Sequence, residues 1–234
     1  MNKKVLFSET AYILGLVLIA LGVALMEKAN FGVSMVVAPA YLLYRWINPV
    51  WSVFTFGMAE YCLQAALLIA MMLVLRKFRV SFLFSFVTAV IYGFLLDGCM
   101  ALAAFLPTTT AWRLLWYVLG MLLCSAGVSM IFHTYISPEV YELFVKEVSE
   151  YFGVNINRFK TGYDCVSCLV GLIMSFAIFG MWKFVGVSWG TVLCALINGS
   201  IIGAFSSFYE KHLEFKDRFP WRPFFEGRKN TELF

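Results

Sequence analysis

The chain has 234 residues, 62% of them apolar and only 14% charged, with a net charge of +4. Ordinary soluble domains are about 45–50% apolar and about 25% charged, so a soluble globular protein is excluded. The 18 Lys and Arg are dispersed rather than gathered on one segment, so nucleic-acid binding is not supported either.

Apolar stretches run 10–26, 53–75, 80–104, 114–132, 165–182 and 187–209. Each approaches the ~20 residues that a helix needs to span a bilayer. The first is too long for a removed signal peptide, and no small-x-small cleavage site leads into a soluble domain. Gly15 and Gly22 lie on one face of this first helix, being seven residues apart, close to two turns. Small residues on one face let helices approach closely in lipid. Lys28, Asn30 and Ser34 follow. The segment 33–47 is short, apolar and ends in Tyr44-Arg45-Trp46. It is expected either to dip into the bilayer as a re-entrant piece, where protein must surround it, or to run along the interface as a connector.

The second stretch carries Glu60 and Gln64 and ends at the basic cluster Arg76, Lys77, Arg79. The third carries Tyr92 and Asp97. The fourth repeats the seven-residue glycine spacing at Gly120 and Gly127 and ends at His133. Ser137-Pro138-Glu139 then reads as a helix start, with a capping Ser, Pro at the first position and an acid at the positive helix end. Val140, Tyr141, Phe144, Val148, Tyr151 and Phe152 form an apolar stripe, and Glu142, Lys146, Glu147 and Glu150 occupy much of the remainder. Such a helix is expected on the membrane surface or against the bundle. The last two spans bring Asp164 and Asn198. The tail 210–234 carries six basic and five acidic residues, and its aromatic residues Phe215, Phe219, Trp221, Phe224 and Phe225 suit the inner leaflet. Pro220 and Pro223 argue against a regular helix there, and residues 215–234 are expected to be dispensable for insertion.

Two stretches 105 residues apart are variants of one another. Leu14-Gly15 recurs as Leu119-Gly120, Gly22-Val23 as Gly127-Val128, and Phe54 with Gly57 as Phe159 with Gly162. Val80-Ser81 recurs as Val187-Ser188 after a two-residue insertion. Six spans in two sets of three make the second set enter the membrane upside down. Placing the N-terminus inside puts 14 of the 18 Lys and Arg on the cytoplasmic side and leaves Lys28, Arg45, Arg113 and Lys183 outside. The expected fold is therefore an all-α polytopic membrane bundle. Its six spans form two inverted three-helix repeats, each with a short extra amphipathic or re-entrant helix. Residues 1–110 form the first repeat, 111–209 the second, and 210–234 a cytoplasmic tail.

Glu60, Asp97 and Asp164 are the acids within the spans. A buried, unpaired carboxylate is costly, so it is protonated, hydrated or binding a cation. These three, with Asn30, Ser34, Gln64 and Asn198, are the candidate lining of a substrate or ion path. The repeat offset also makes Lys28 the equivalent of His133. Lys28–Glu60 and His133–Asp164 are therefore candidate gate pairs at the two mouths, although Lys160, four residues before Asp164, could neutralise it locally. Six cysteines all fall in apolar spans. Cys165 and Cys168 form a CxxC without a second pair, so packing is the better reading than zinc. No GxSxG, phosphate-binding or dinucleotide-binding glycine motif occurs. No nucleophile–base or metal constellation suggests an enzyme, and no cofactor is expected.

Gly22-Val-Ala-Leu-Met-x-Lys-Ala-Asn-Phe-Gly-Val-Ser34 resembles the opening signature of the YczE/YitT-like family of small bacterial membrane proteins. Tyr92-Gly-Phe-Leu-Leu-Asp97 is similar to its third-helix glycine and aspartate, and Ser188 to Gly199 to its second-repeat Gly-Thr…Ala-Leu…Gly pattern. Ser137-Pro138, the amphipathic helix and Asp164 also fit, so the resemblance covers about 10–205. The chain departs from it at Asn30, where Asp is usual, and at Met35-Val36-Val37, which replaces a Pro-Trp-Asp-like triplet. The resemblance implies a multi-pass protein of the bacterial plasma membrane with internal repeats, and supplies no substrate. The expected function is a small-solute or ion transporter with both termini cytoplasmic, whose partners are the bilayer and a small solute, cation or proton. The alternative is a non-transporting accessory protein that binds another membrane protein or a second copy of itself.

Overall fold

A computed structural model describes residues 3–76, 78, 80–154, 156–180 and 185–226, except for the side chains of 80, 81, 156–158 and 226. Lys77, Arg79, Lys183, Arg228 and Lys229, which entered the charge count, lie outside the described residues, as does the side chain of Arg158. The protein is a polytopic helical bundle. The helices are α1 (Ser8–Ala29), α2 (Ala38–Ile47), α3 (Phe56–Leu75), α4 (Val80–Ala103), α5 (Thr110–Phe132), α6 (Val140–Phe152), α7 (Ile156–Phe179), α8 (Trp189–His212) and α9 (Arg222–Glu226). Six of them, α1, α3, α4, α5, α7 and α8, are long and apolar enough to cross a membrane. Their outward faces carry large exposed side chains such as Leu73, Phe94, Leu102, Leu169 and Leu196. Lipid, not water, is the solvent that makes such surfaces inexpensive.

Helices α1 and α5 form the central pair, and the four glycines are the reason. A Cβ placed on Gly15 would meet the Gly127 carbonyl oxygen at 3.0 Å, and one on Gly22 would meet the Gly120 oxygen at 2.6 Å. Backbone lies against backbone, so only glycine fits. The contacts exchange under the 105-residue offset. Gly15 meets Ile131 as Gly120 meets Met26, and Gly22 meets Cys124 as Gly127 meets Ile19. The Cys124 thiol and the Ile19 carbonyl, themselves 105 residues apart, touch at 3.6 Å.

The other helices follow the same exchange. α4 packs on α1 and α8 on α5; α3 packs on α4 and α7 on α8; α2 packs on α3 and α7, and α6 on α7 and α3. Two parallel strands, β1 (Lys4–Phe7) and β2 (Leu213–Lys216), pair with Lys4 opposite Leu213 and Phe7 opposite Lys216. They hold the entry to α1 beside the exit from α8, so both ends of the described chain lie on one side of the bundle, termed here the tail side.

The helix 140–152 is not a surface helix. Its first turn is buried (Val140, Tyr141, Glu142, Leu143), as are Val145, Val148 and Ser149, and its exposed residues are Lys146, Glu150, Tyr151 and Phe152. The Val140 N–H donates to Gln64 Oε1 at 3.1 Å. Gln64 sits eight residues into α3, about 12 Å from the side opposite the tail. Five residues earlier the Tyr135 hydroxyl donates to Glu9 Oε1 at 2.7 Å, in the first turn of α1 on the tail side. The segment 135–139 thus climbs, without helix, to the middle of the bundle, and α6 descends again. The segment 30–47 mirrors it. A Cβ on Gly171 would meet Ala38, the first residue of α2, at 3.4 Å. Gly171 lies eight residues from the end of α7, about 12 Å deep. Of the two expectations for 33–47, the start of α2 beside the middle of α7 is the placement that a re-entrant piece requires.

Candidate polar site between the half-helices

Two half-helix N-termini reach mid-depth, and they are treated differently. The start of α2 meets apolar neighbours: Val33, Met35, Val36, Val37 and Ala38 are buried in the main core. The start of α6 meets carboxylates. Glu60 on α3 is 0% exposed, Gln64 0%, Glu139 4% and Tyr141 2%. The Gln64 amide nitrogen donates to Glu60 Oε2 at 3.3 Å and to Glu139 Oε2 at 3.4 Å. The Tyr141 hydroxyl donates to Glu60 Oε2 at 2.8 Å. Gln64 thus caps α6 through its carbonyl and joins two acids through its amide. The other oxygen of each acid, Glu60 Oε1 and Glu139 Oε1, has no hydrogen-bond partner among the described residues.

An ion-pair group lies one turn further along α6. Lys160 Nζ stands 3.1 Å from Asp164 Oδ1 and 3.8 Å from Glu142 Oε1. All three side chains are nearly buried. A buried charge is tolerated when it is paired in this way. Burial pushes the Glu142 carboxyl above its ordinary value, opposed by Lys160. Burial, with Glu142 and Glu60 close by, pushes Glu139 well above the ordinary carboxyl range. Among the described residues the interior therefore holds four carboxyls (Glu60, Glu139, Glu142, Asp164) against one lysine.

A line of polar groups links this site to the tail side. Tyr135 binds Glu9. The Thr88 hydroxyl donates to the Ser137 carbonyl at 3.2 Å and lies 2.5 Å from the Tyr12 hydroxyl.

Of the residues picked from the sequence, Glu60 and Gln64 are joined directly, and Asp164 belongs to the neighbouring ion-pair group. The others are elsewhere. Asp97 is half-buried and caps α3, accepting from the Thr55 hydroxyl at 2.7 Å and from the Gly57 N–H at 2.9 Å. Asn30 is the exposed left-handed cap of α1, with φ 54°. Ser34 starts the turn into α2, its carbonyl accepting from Val37 and Ala38. Asn198 accepts from Ser125 at 2.7 Å in the contact of α8 with α5.

Neither gate pair forms. Lys28 donates to the Ala104 carbonyl at 2.8 Å, because the ends of α1 and α4 adjoin. His133 bonds Ser206 at 2.9 Å and stacks on Phe215, while Asp164 takes its neighbour Lys160 instead. Glu139 and Glu142 were missed. Counting Leu143 and Val145 with the stripe would have placed Glu142 among the apolar residues of the first turns.

No group of three or more His, Cys, Asp or Glu is arranged to hold a metal ion among the described residues. All six cysteines are free. No curated protein and no solved structure compared with the chain matches it. A family of unknown function, DUF6198, matches residues 6–207, nearly the whole of the bundle, and the chain belongs to that family.

Proposed function

We propose that the protein is a transporter for a small solute or ion in the bacterial plasma membrane, with its path between two inverted repeats, residues 1–110 and 111–209. One observation carries this reading: two re-entrant half-helices, from opposite sides, end at mid-depth, and one ends against buried carboxylates. Discontinuous helices whose N-termini meet near the midplane, at the interface of repeats, are how secondary transporters build substrate and ion sites. The exchange of contacts under the 105-residue offset supports an axis in the membrane plane between the halves. That offset also spans the order of motifs that resembles the YczE/YitT-like family.

The test is uptake into liposomes holding the purified protein, screened over small solutes and ions with protein-free liposomes as control. The expected result is accumulation of at least one solute by the wild type and its loss in Gln64→Leu, which uncaps α6 and separates the two acids. Transport by no member of the screen, or transport unaffected by Gln64→Leu, would overturn the reading.

A non-transporting accessory protein is the second reading. The exposed end of α6, with Tyr151, Phe152 and Val154 beside an apolar groove lined by Phe144, Phe159, Gly162, Tyr163 and Val166, favours it. Recovery of a defined membrane partner, lost on Tyr151→Ala together with Phe152→Ala, would support that reading in place of transport.

A further inference from the structure

We propose that Glu60, Gln64 and Glu139 form a proton site, in which Glu60 Oε1 and Glu139 Oε1 are the atoms that gain and release the proton. The inference deepens the transport reading by naming the coupled ion. It rests on that reading for proton flux but not for proton binding.

Three observations converge. First, hydrogen-bond donors are distributed unequally within each carboxyl. Gln64 and Tyr141 serve the Oε2 atom of Glu60, and Gln64 serves the Oε2 atom of Glu139, leaving both Oε1 atoms without a donor. A buried carboxylate oxygen with no donor is costly. Placing a proton on it removes the charge, and with it most of the burial cost. Second, Tyr92 on α4 is 0% exposed, its hydroxyl has no partner among the described residues, and the acids that act on it most strongly are Glu139 and Glu60. It is a buried hydroxyl with its bonding capacity unused. Third, one amide nitrogen of Gln64 joins the two buried carboxyls, so two like charges sit close together and a proton is the ligand that relieves them.

The titratable groups that interact with Glu139 are Glu60 from α3, Tyr92 from α4, Tyr141 and Glu142 on α6, Lys160 from α7, Tyr12 from α1 and Cys124 from α5. Lys160 is the one cation among them, and Asp164 and Glu142 already engage it. The remaining charge therefore falls on Glu60 and Glu139. The step is a simple transfer: water on one side gives a proton to a carboxylate, which becomes a carboxylic acid. The acid later returns that proton to water on the other side, and no other bond changes. Tyr12, Thr88, Ser137 and Tyr135 mark the approach from the tail side.

The full-length protein in lipid nanodiscs gives a direct readout. Infrared difference spectra taken across pH should show a carboxylic-acid C=O band that persists above the ordinary carboxyl value of about 4.3. Part of that band should disappear in Glu60→Gln and part in Glu139→Gln, and Tyr141→Phe should shift the Glu60 component. Glutamine copies the shape of the protonated acid, so both variants should fold. Burial and its acidic neighbours raise Glu139 in the folded state. The stability it confers is therefore complete below the ordinary carboxyl value and lost as pH rises through the raised one. The melting temperature of the wild type should fall with rising pH over that window, and Glu139→Gln should flatten the fall.

A band unchanged in both variants would overturn the proposal. So would stabilisation of the wild type by sodium, potassium, calcium or zinc salts that either variant abolishes, which would make the group a metal site. Liposomes containing a pH-sensitive dye separate this inference from the transport reading. Solute uptake without proton movement would overturn the coupling and leave transport standing. The carboxylic-acid band without any solute uptake would leave the proton site standing and remove transport.

Discussion

At the scale of single residues, burial distinguishes acids that a sequence alone treats alike. Glu60, Asp97 and Asp164 all lie within apolar spans, yet each is satisfied differently: by Gln64 and Tyr141, by a helix N-terminus, and by Lys160. Asp97 accepts a backbone N–H and a hydroxyl at the start of α3, which is the work of a cap. Asp97→Ala should therefore cost about 0.5–2 kcal/mol of stability, as loss of a cap does. Uptake per folded molecule should be unchanged. Thermal melting in detergent beside liposome uptake checks this, and abolished uptake with unchanged melting would return Asp97 to the path. Glu60, Gln64 and Asp164 were legible in the sequence as polar groups that lipid would not accept. Glu139 was not, because the same Ser-Pro-Glu start suits a surface helix and a buried one. What decides between them is Gln64, 75 residues away, and no local pattern encodes that contact. The gate pairs failed for a related reason. The repeat offset relates positions but not partners, and Lys28 and Lys160 each found a nearer acceptor.

At the scale of elements, hydropathy identified all six long helices, and the glycine spacing marked α1 and α5 as helices with a face for close approach. Both signals are local and periodic, so they survive without tertiary information. The half-helices were ambiguous because ten to thirteen residues suit an interfacial segment as well as a re-entrant one.

The tail is more engaged than its two prolines suggested. Ser8 donates to Asp217 at 2.8 Å, the backbone N–H groups of Arg218 and Phe219 donate to Glu9, and Phe224 and Phe225 pack edge-on against Phe84. Arg222 bonds Asp217 at 2.6 Å and holds its carboxyl below the usual range. Pro223 sits inside the short helix α9, in its first turn, where proline is tolerated. A chain cut after Leu213 should still insert and resist carbonate extraction, since the six spans are untouched. It should also melt lower, by about 2–4 °C for each kcal/mol lost. An unchanged melting temperature would show that these contacts carry no weight; loss from the membrane fraction would show that the tail is needed for insertion.

At the scale of the whole molecule, the pairing of β1 with β2 puts both ends of the described chain on one side, which requires an even number of crossings. The distribution of Lys and Arg proposes which side that is: 14 of the 18 fall with the termini when these are cytoplasmic, as the positive-inside rule favours. Six crossings with this orientation leave residues 105–112 outside and residues 76–79 inside. Both segments are short, so each reports one boundary only. Native cysteines lie within helices, which allows a background of cysteine-to-serine changes against which single cysteines are read. A cysteine at Thr108 should react with a membrane-impermeant thiol reagent applied to intact cells, and one at Phe78 should react only after the membrane is opened. Labelling at Phe78 from outside would invert the orientation or add crossings. It would also exchange the faces from which protons enter and leave the Glu60–Glu139 pair, so the orientation has to be known before the direction of any coupled flux can be assigned.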